Sequence, residues 1–451
     1  MMDNEAIAQK YSRILNPMTR MGLPFIISVG LLSVIFLWSF FAFGWQYGWG
    51  LGVTAMGHPM SWTLYLVNFV FFIGISHAGT LISAILRITH AAWRTPVTRA
   101  AEVVTVFALA AGPTNILFDL GRSIRFYWVA THAQFKSPLL WDFTCIMTYF
   151  ITCVLFLYVL MIPDIALLRD RFPSRRWFYK LLSLGWTGTE RQERILGKVT
   201  TFLCIAVIPI AVSVHTVVSW VFSMQTQPMW HSTIFGPYFV AGAIYSGIAA
   251  IILVAAILRK VYHLEEYLQP IHFNNMGLLL LTMTLLWFYF TFAEYLTTLY
   301  GGGTNELAVF WVKLTGKYSP MFWLMVLFCF VIPFPILALK RTRTIMGTSI
   351  ASVFILIGMW LERYLIIIPT LSQPRLPYER GSYMPSWVEW SMMAGLSAGF
   401  ILAIILFSKF FPVISIWEME KEEKEREEKL SKETARSKED FKVKKVTIPE
   451  I

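Results

Sequence analysis

Ten apolar runs, most of them about 20 residues or longer, recur along this chain, and a run of that length crosses ~30 Å of hydrocarbon. Inside hydrocarbon each backbone N–H and C=O must be satisfied by a helix or a closed barrel. The alternating segments of roughly ten residues that build a barrel are absent. The pattern therefore predicts an all-α, polytopic membrane protein of about ten transmembrane helices. The runs fall at 22–45, 61–86, 100–118, 139–168, 197–224, 234–258, 275–300, 320–339, 345–369 and 387–412. With 56% hydrophobic and 14% charged residues, the chain lies outside the soluble range.

Basic residues between the runs set the orientation. One set of ends carries Lys10, Arg13 and Arg20, then Arg87, Arg94 and Arg99, eight residues from Arg169 to Lys198, Arg259 and Lys260, and finally Lys340, Arg341 and Arg343. The alternate ends carry Arg122, Arg125, Lys136, Lys313, Lys317, Arg375 and Arg380. Nineteen against seven, in strict alternation, puts both termini in the cytoplasm. The net charge of +11 is thus a topology signal and no argument for nucleic acid. Glu5, Lys10 and Arg13 precede any apolar run, a start unlike a cleaved signal peptide. The loops 46–60 and 225–233 face outside, without Lys, Arg, Asp or Glu and rich in Trp, Gly and Pro.

A weak internal repeat adds a second level of order. His58 opens and Ile85-Leu86-Arg87 closes one unit of 30 residues; His231 opens and Ile257-Leu258-Arg259 closes another of 29. Ser137-Pro138-x-x-Trp141 and Ser319-Pro320-x-Phe322-Trp323 then open the fourth and eighth spans. This suggests two four-helix bundles, spans 2–5 and 6–9, with spans 1 and 10 peripheral. The division is a cytoplasmic segment 1–21, a first span and outer loop 22–60, a first bundle 61–224, a second bundle 225–369, an outer loop with the last span 370–412, and a charged cytoplasmic tail 413–451. The tail, from Glu418 to about Asp440, mixes Glu with Lys and Arg at helical spacing and reads as a solvated helix. Gly112-Pro113 marks span 3 as the candidate for a broken helix.

Ionisable residues at membrane depth cost ~3 kcal/mol each at the bilayer centre and normally face a protein interior. His77 lies ~24 Å from the outer end of span 2, past the midplane, among the small residues Gly74, Ser76, Ala78 and Gly79. It reads either as a core histidine or as a proton carrier or quinone ligand. Asp119, Arg122 and Arg125 fall together at an outer helix end, with Asp142 at similar depth. They read as an interfacial ion pair or as a site where a carboxylate takes a proton and arginines hold an oxygen. His215 and His231 add titratable groups; Glu102, Asp164, Glu294, Glu362 and Arg363 lie at other depths, an array that can pass protons. A structural ion pair fits Glu362 and Arg363 equally well.

Cys145, Cys153, Cys204 and Cys329 stand singly, with no Cys-x-x-Cys, so they offer neither an iron–sulfur cluster nor a c-type haem. The histidines are too scattered for a b haem. Neither a P-loop nor a glycine-rich dinucleotide fingerprint occurs, and Gly301-Gly302-Gly303 reads as a turn.

Several runs together carry a likeness. They are Gly74-Ile-Ser-His77-Ala-Gly-Thr-Leu-Ile-Ser-Ala-Ile-Leu86, Leu120-Gly-Arg122 with Phe126-Tyr-Trp128, and Phe135-Lys-Ser-Pro-Leu-Leu-Trp-Asp142. Ile162-Pro-Asp-Ile-Ala-Leu-Leu-Arg-Asp-Arg171, Val212-Ser-Val-His215 and Trp230-His-Ser-Thr-Ile-Phe235 continue them. Pro237-Tyr-Phe-Val-Ala-Gly-Ala-Ile244 and Trp360-Leu-Glu-Arg-Tyr364 complete the set. Across about 58–390 the chain resembles the NrfD/PsrC-type quinol-interacting membrane subunits, most closely the ten-helix ActC subunits of alternative complex III. One departure stands out: many relatives have a histidine before Leu-Gly-Arg, where this chain has Asp119.

The resemblance implies a quinol-oxidising subunit of a bacterial inner-membrane complex, with menaquinol or ubiquinol as substrate and no haem or iron–sulfur cluster of its own. It implies an iron–sulfur protein docked outside, c-type cytochrome subunits and a second NrfD-like membrane subunit as partners. Carried over, His77, Asp142 and Asp119 become catalytic candidates and Arg122, His215 and Arg125 quinol-binding ones. Glu294, Glu362, Arg363, Asp164 and Glu102 become candidates for a proton route. The alternatives are another NrfD-type complex, such as polysulfide reductase, and a secondary transporter.

Overall fold

The computed structural model describes residues 10–19, 21–91, 93–373, 381–424, 426–428 and 431. Residues 1–9 of the N-terminal segment, the topology markers Arg20, Arg375 and Arg380, and nearly all of the tail beyond Glu428 lie outside the described residues. Among the described residues there is no strand, and ten helices are long and apolar enough to cross a membrane. In chain order they are α1 Leu23–Trp49, α2 Leu64–Ile88, α3 Thr95–Asp119, α4 Pro138–Arg171 and α5 Glu190–Ser223. The others are α6 Phe235–Val261, α7 Pro270–Gly301, α8 Ser319–Ala338, α9 Ile345–Ser372 and α10 Trp387–Phe410. Every expected span is present, with ends shifted by a few residues.

The helix starts follow local chemistry. Pro138 and Pro270 sit in the first turns of α4 and α7, where a missing N–H costs nothing. Thr189 with Gln192 and Ser386 with Glu389 form capping boxes on α5 and α10.

α2 is the most enclosed helix, apolar or small on every side, and it packs on α3, α5, α6 and α9. Its glycines allow that crowding: the space a Cβ would take at Gly79 is already filled by the Ala101 carbonyl and the Thr105 hydroxyl of α3. α4 packs on α3 and α5; α6 packs on α7 and α9, and α8 on the same two. α1 lies against α10, which also touches α2 and α3.

Two expectations are corrected. Span 3 is not broken: α3 runs unbroken through Pro113 from Thr95 to Asp119. The interruption lies in α8, where Leu327–Val331 widens into a π segment ahead of Pro333. Pro333 has no N–H to offer the carbonyl four residues back, that of Cys329. The Tyr245 hydroxyl of α6 donates to it instead, at 2.7 Å. The start of the tail is not a solvated helix either. Ile414 and Ile416 are buried, and the helical turns that follow fold back onto the ends of α2, α3 and α4 that carry Arg87, Thr95 and Asp164, called the inner ends after the direction the basic residues suggest, the opposite ends being the outer ones.

Candidate functional site

At the outer end, α3 stops at Asp119 because Gly121 takes a positive φ of 63° and turns the chain out of the helix. That turn sends Arg122 and Arg125 toward solvent; Arg125 lies 4.7 Å over the Trp128 ring. Neither arginine makes an ion pair with Asp119, so the expected three-residue cluster does not form. Asp119 is half-buried, its Oδ1 meets no hydrogen-bond partner among the described residues, and a second carboxylate, Glu389, stands near it. Glu389 is fully buried and well satisfied: it accepts from Tyr383 Oη (2.6 Å), Ser386 N (2.9 Å) and Ala55 N (3.0 Å). Tyr65 donates to Gln46 (2.5 Å), and Gln46 to the Phe118 carbonyl (2.7 Å), fixing the last turn of α3. Asp142, in the second turn of α4, is buried with its Oδ1 likewise unpartnered.

Deeper in, the structure joins two histidines that lie far apart in the chain. The rings of His77 on α2 and His215 on α5 meet edge to face, centroids 4.2 Å apart. Both side chains are buried, and neither nitrogen of His77 has a hydrogen-bond partner among the described residues. His215 has the backbone of Ala211 and Ile73 beside it, without a hydrogen bond of good geometry. Tyr149 of α4 donates to the carbonyls of Ser76 (3.1 Å) and His77 (3.4 Å), which ties α4 to this level of α2. Arg363 of α9 lies close enough to act electrostatically on His215. Its guanidinium stacks 4.9 Å over Phe239 and reaches Glu362 at 3.3 Å, whose other oxygen accepts from Trp287 Nε1 at 2.5 Å. A Cβ at Gly242 would collide with that guanidinium, which accounts for a glycine there.

The inner end is a contrast. Glu102 accepts from Ser83 (2.6 Å) and pairs with Arg87 (3.2 Å) and Arg99 (4.0 Å). Asp164 pairs with Arg99 (3.0 Å) and accepts from Trp417 N (2.8 Å) and Ser415 Oγ (3.2 Å). Arg87 also pairs with Glu418, at 2.5 Å. Glu102 and Asp164 therefore sit in a buried ion network that fastens the C-terminal segment.

On the outer side of α7, Glu294 accepts from Ser232, while His231 stands 3.6 Å from Glu306. Lys313, on the short helix Thr304–Leu314, is 4% exposed and faces the Tyr295 ring at 6.0 Å. Burial pulls its ammonium down to about 8, against the pull of Glu294. All four cysteines are free, and among the described residues no group of three or more His, Cys, Asp or Glu side chains could hold a metal.

Sequence reasoning missed Glu389, Glu418 and Trp287, and it took Arg87, Arg99 and Lys313 only as topology markers. Glu389 had a signal, the Ser386-x-x-Glu389 capping box; the others depend on partners distant in the chain.

A fold of ten membrane-length helices with unpartnered acids at one end and buried histidines between α2 and α5 defines a class of protein, a polytopic integral-membrane protein with polar groups in its interior. Residues 52–374 match the family model described as "Polysulphide reductase, NrfD", and the chain belongs to that family. It is 26% identical over 426 residues to the C subunit of the selenate reductase of Mesobacillus selenatarsenatis, covering 89% of this chain and 94% of that one. It is 23% identical over 381 residues to "Hdr-like menaquinol oxidoreductase integral membrane subunit" of Archaeoglobus fulgidus, covering 81% and 88%. The membrane C subunit of a candidate dimethyl sulfoxide reductase of Halobacterium salinarum is 28% identical over 228 residues, so the chain spans 50% of that relative's length.

Proposed function

We propose that this chain is the quinol-binding and quinol-oxidising membrane subunit of a multisubunit oxidoreductase. The observation that carries the reading is the Asp142 carboxylate, buried at the outer end of α4 with an oxygen that meets no partner among the described residues. Buried polar atoms are almost always paired, and a buried carboxylate with neither a cation nor a hydrogen bond on one oxygen is open to a polar ligand. Quinol oxidation releases two protons and two electrons, so it needs an acceptor beside each hydroxyl and an exit for electrons. Asp142 is the first acceptor and Asp119 the second; His77 and His215 beneath them hold or relay the protons. Arg122 and Arg125, turned toward solvent, belong to the outer docking surface rather than to the pocket.

The electrons leave across that surface to an iron–sulfur partner, then to c-type cytochromes, with a second NrfD-like subunit alongside in an assembly of the alternative complex III type. The name of the Archaeoglobus fulgidus relative favours menaquinol over ubiquinol. The chain lies in a bacterial inner membrane with both termini in the cytoplasm, as the basic residues direct. Glu294, Glu362 and Arg363 provide a proton route through α7 and α9. Glu102 and Asp164, paired with arginines, serve instead to hold the inner end together. The reductase names of other relatives favour a second reading, in which the same site feeds electrons to the reductase partner of another NrfD-type complex.

Purification in mild detergent tests this. The chain is expected to bring iron–sulfur and c-type cytochrome subunits and to oxidise a menaquinol analogue. A chain that arrives alone and inert toward quinols ends the reading.

A further inference from the structure

A crevice of about 690 Å³ opens between α5, α6 and α7, and Asp142 is not among the described residues that line it. The polar residues of its lining include His231, Ser232 and Thr216, and its walls include Trp220, Phe290 and Ala241. Ser232 donates to the buried Glu294, so its hydroxyl oxygen is held in place with lone pairs to spare. His231 is 44% exposed and only loosely opposed by Glu306, which leaves its ring free to turn toward the crevice.

The lining chemistry selects the occupant. No Lys or Arg is among the described residues that line the crevice, so a phospholipid phosphate would find no cation there. A neutral ring carrying carbonyl or hydroxyl oxygens finds hydroxyls, an imidazole and aromatic walls around it. The volume lies in the ~300–1,000 Å³ range of small-molecule sites, enough for a bicyclic ring with the start of a tail.

We propose that this crevice is a second quinone site, holding the ring at His231 and Ser232 while the isoprenoid tail passes into the bilayer. It rests on the reading that the chain works on quinols. It is a holding site; no redox step belongs to it.

The test is photolabelling of the intact complex in native membranes with an azido-naphthoquinone, followed by peptide mapping. The expected result is label on 212–244 or 283–290 in addition to label near Asp142. His231→Ala, at an exposed position that leaves folding alone, should lower crevice label about fivefold, the worth of one neutral hydrogen bond. Val212→Trp, at a crevice-lining position that is 40% exposed, should abolish it by filling the space, and quinol oxidation should stay within about twofold of the parent in both, since neither residue lies at the oxidation site. Label near Asp142 with none in the crevice overturns this inference and leaves the proposed function standing. Crevice label without label near Asp142 supports the inference and removes the oxidation site from α4. Crevice label displaced as readily by phosphatidylglycerol as by menaquinone means that any acyl chain fits, which also overturns it.

Discussion

The two ends of α3 and α4 carry the same kind of residue in opposite circumstances. At the inner end, Glu102 and Asp164 are fully buried and ion-paired to Arg87 and Arg99. At the outer end, among the described residues, Asp119 and Asp142 have no cation, and Oδ1 of each has no hydrogen-bond partner; the inner oxygen in the same position, Glu102 Oε2, at least has the Arg99 guanidinium 4.0 Å away. Sequence depth alone would treat the four acids alike. What separates them is whether the fold itself supplies the partner. A buried acid whose cation is built in is held in one state and fastens helices together. A buried acid without one keeps its bonding capacity for a molecule that arrives from outside.

The sharpest way to break this contrast is at the inner end. Arg99→Leu leaves Asp164 without its cation and Glu102 with Arg87 alone, and breaking a buried pair from one side costs about 3–5 kcal/mol. The expected outcome is loss of the assembled protein from membranes, measured by immunoblot and by thermal aggregation in detergent. Normal abundance would mean that the inner acids are held no more firmly than the outer ones. The outer end should respond in turnover instead. Asp142→Asn removes the base but no hydrogen bond of the fold, so the complex should assemble while quinol oxidation falls about 100-fold or more. Reduced assembly with unchanged turnover per complex would reverse the assignment of the two ends.

The ten spans were legible because hydrophobic length is a local property. Partnership was not legible. Arg99 and Asp164 are 65 positions apart, and His77 meets His215 only through the contact of α2 with α5. The π segment of α8 was hidden for a related reason: Pro333 announces a disturbance, but the hydroxyl that stabilises it comes from Tyr245 on α6. The tail misled because its Glu and Lys spacing is that of a solvated helix. The apolar Val413, Ile414 and Ile416 just before it were the overlooked sign of docking.

Glu418 sharpens the inner half of the comparison through pH. Burial pushes its carboxyl up, but the Arg87 guanidinium, with its hydrogen bond, and the charges of Arg99 and Arg94 more than reverse that, leaving it below the usual glutamate value. A depressed folded value means that the stabilisation is fully present above the unfolded value, about 4.3. It is lost as pH falls through the folded value. Hydrogen exchange over 413–424 should therefore stay slow from neutral pH to about 5 and accelerate only below about 4. Glu418→Gln should give fast exchange at neutral pH as well, and exchange that does not depend on pH in the parent would remove this pair from the latch.

The smallest effect is expected at the outer end, where the partner is proposed to dock. Arg125 is exposed and stacks on Trp128, and among the described residues it makes no ion pair, so its charge is available to a docking surface and not to the fold. Exposed charges at the rim of an interface change association rate and salt dependence more than stability, by about 1 kcal/mol or less. Arg125→Ala should leave chain abundance and turnover of the assembled complex unchanged. It should raise the concentration of iron–sulfur partner needed for reconstitution about two- to fivefold at low salt, with the difference vanishing near 0.5 M salt, where the screening length is about 4 Å. A loss of turnover in the fully assembled variant would instead return Arg125 to the quinol pocket, and with it the idea that the exposed arginines and the unpartnered acids act as one site.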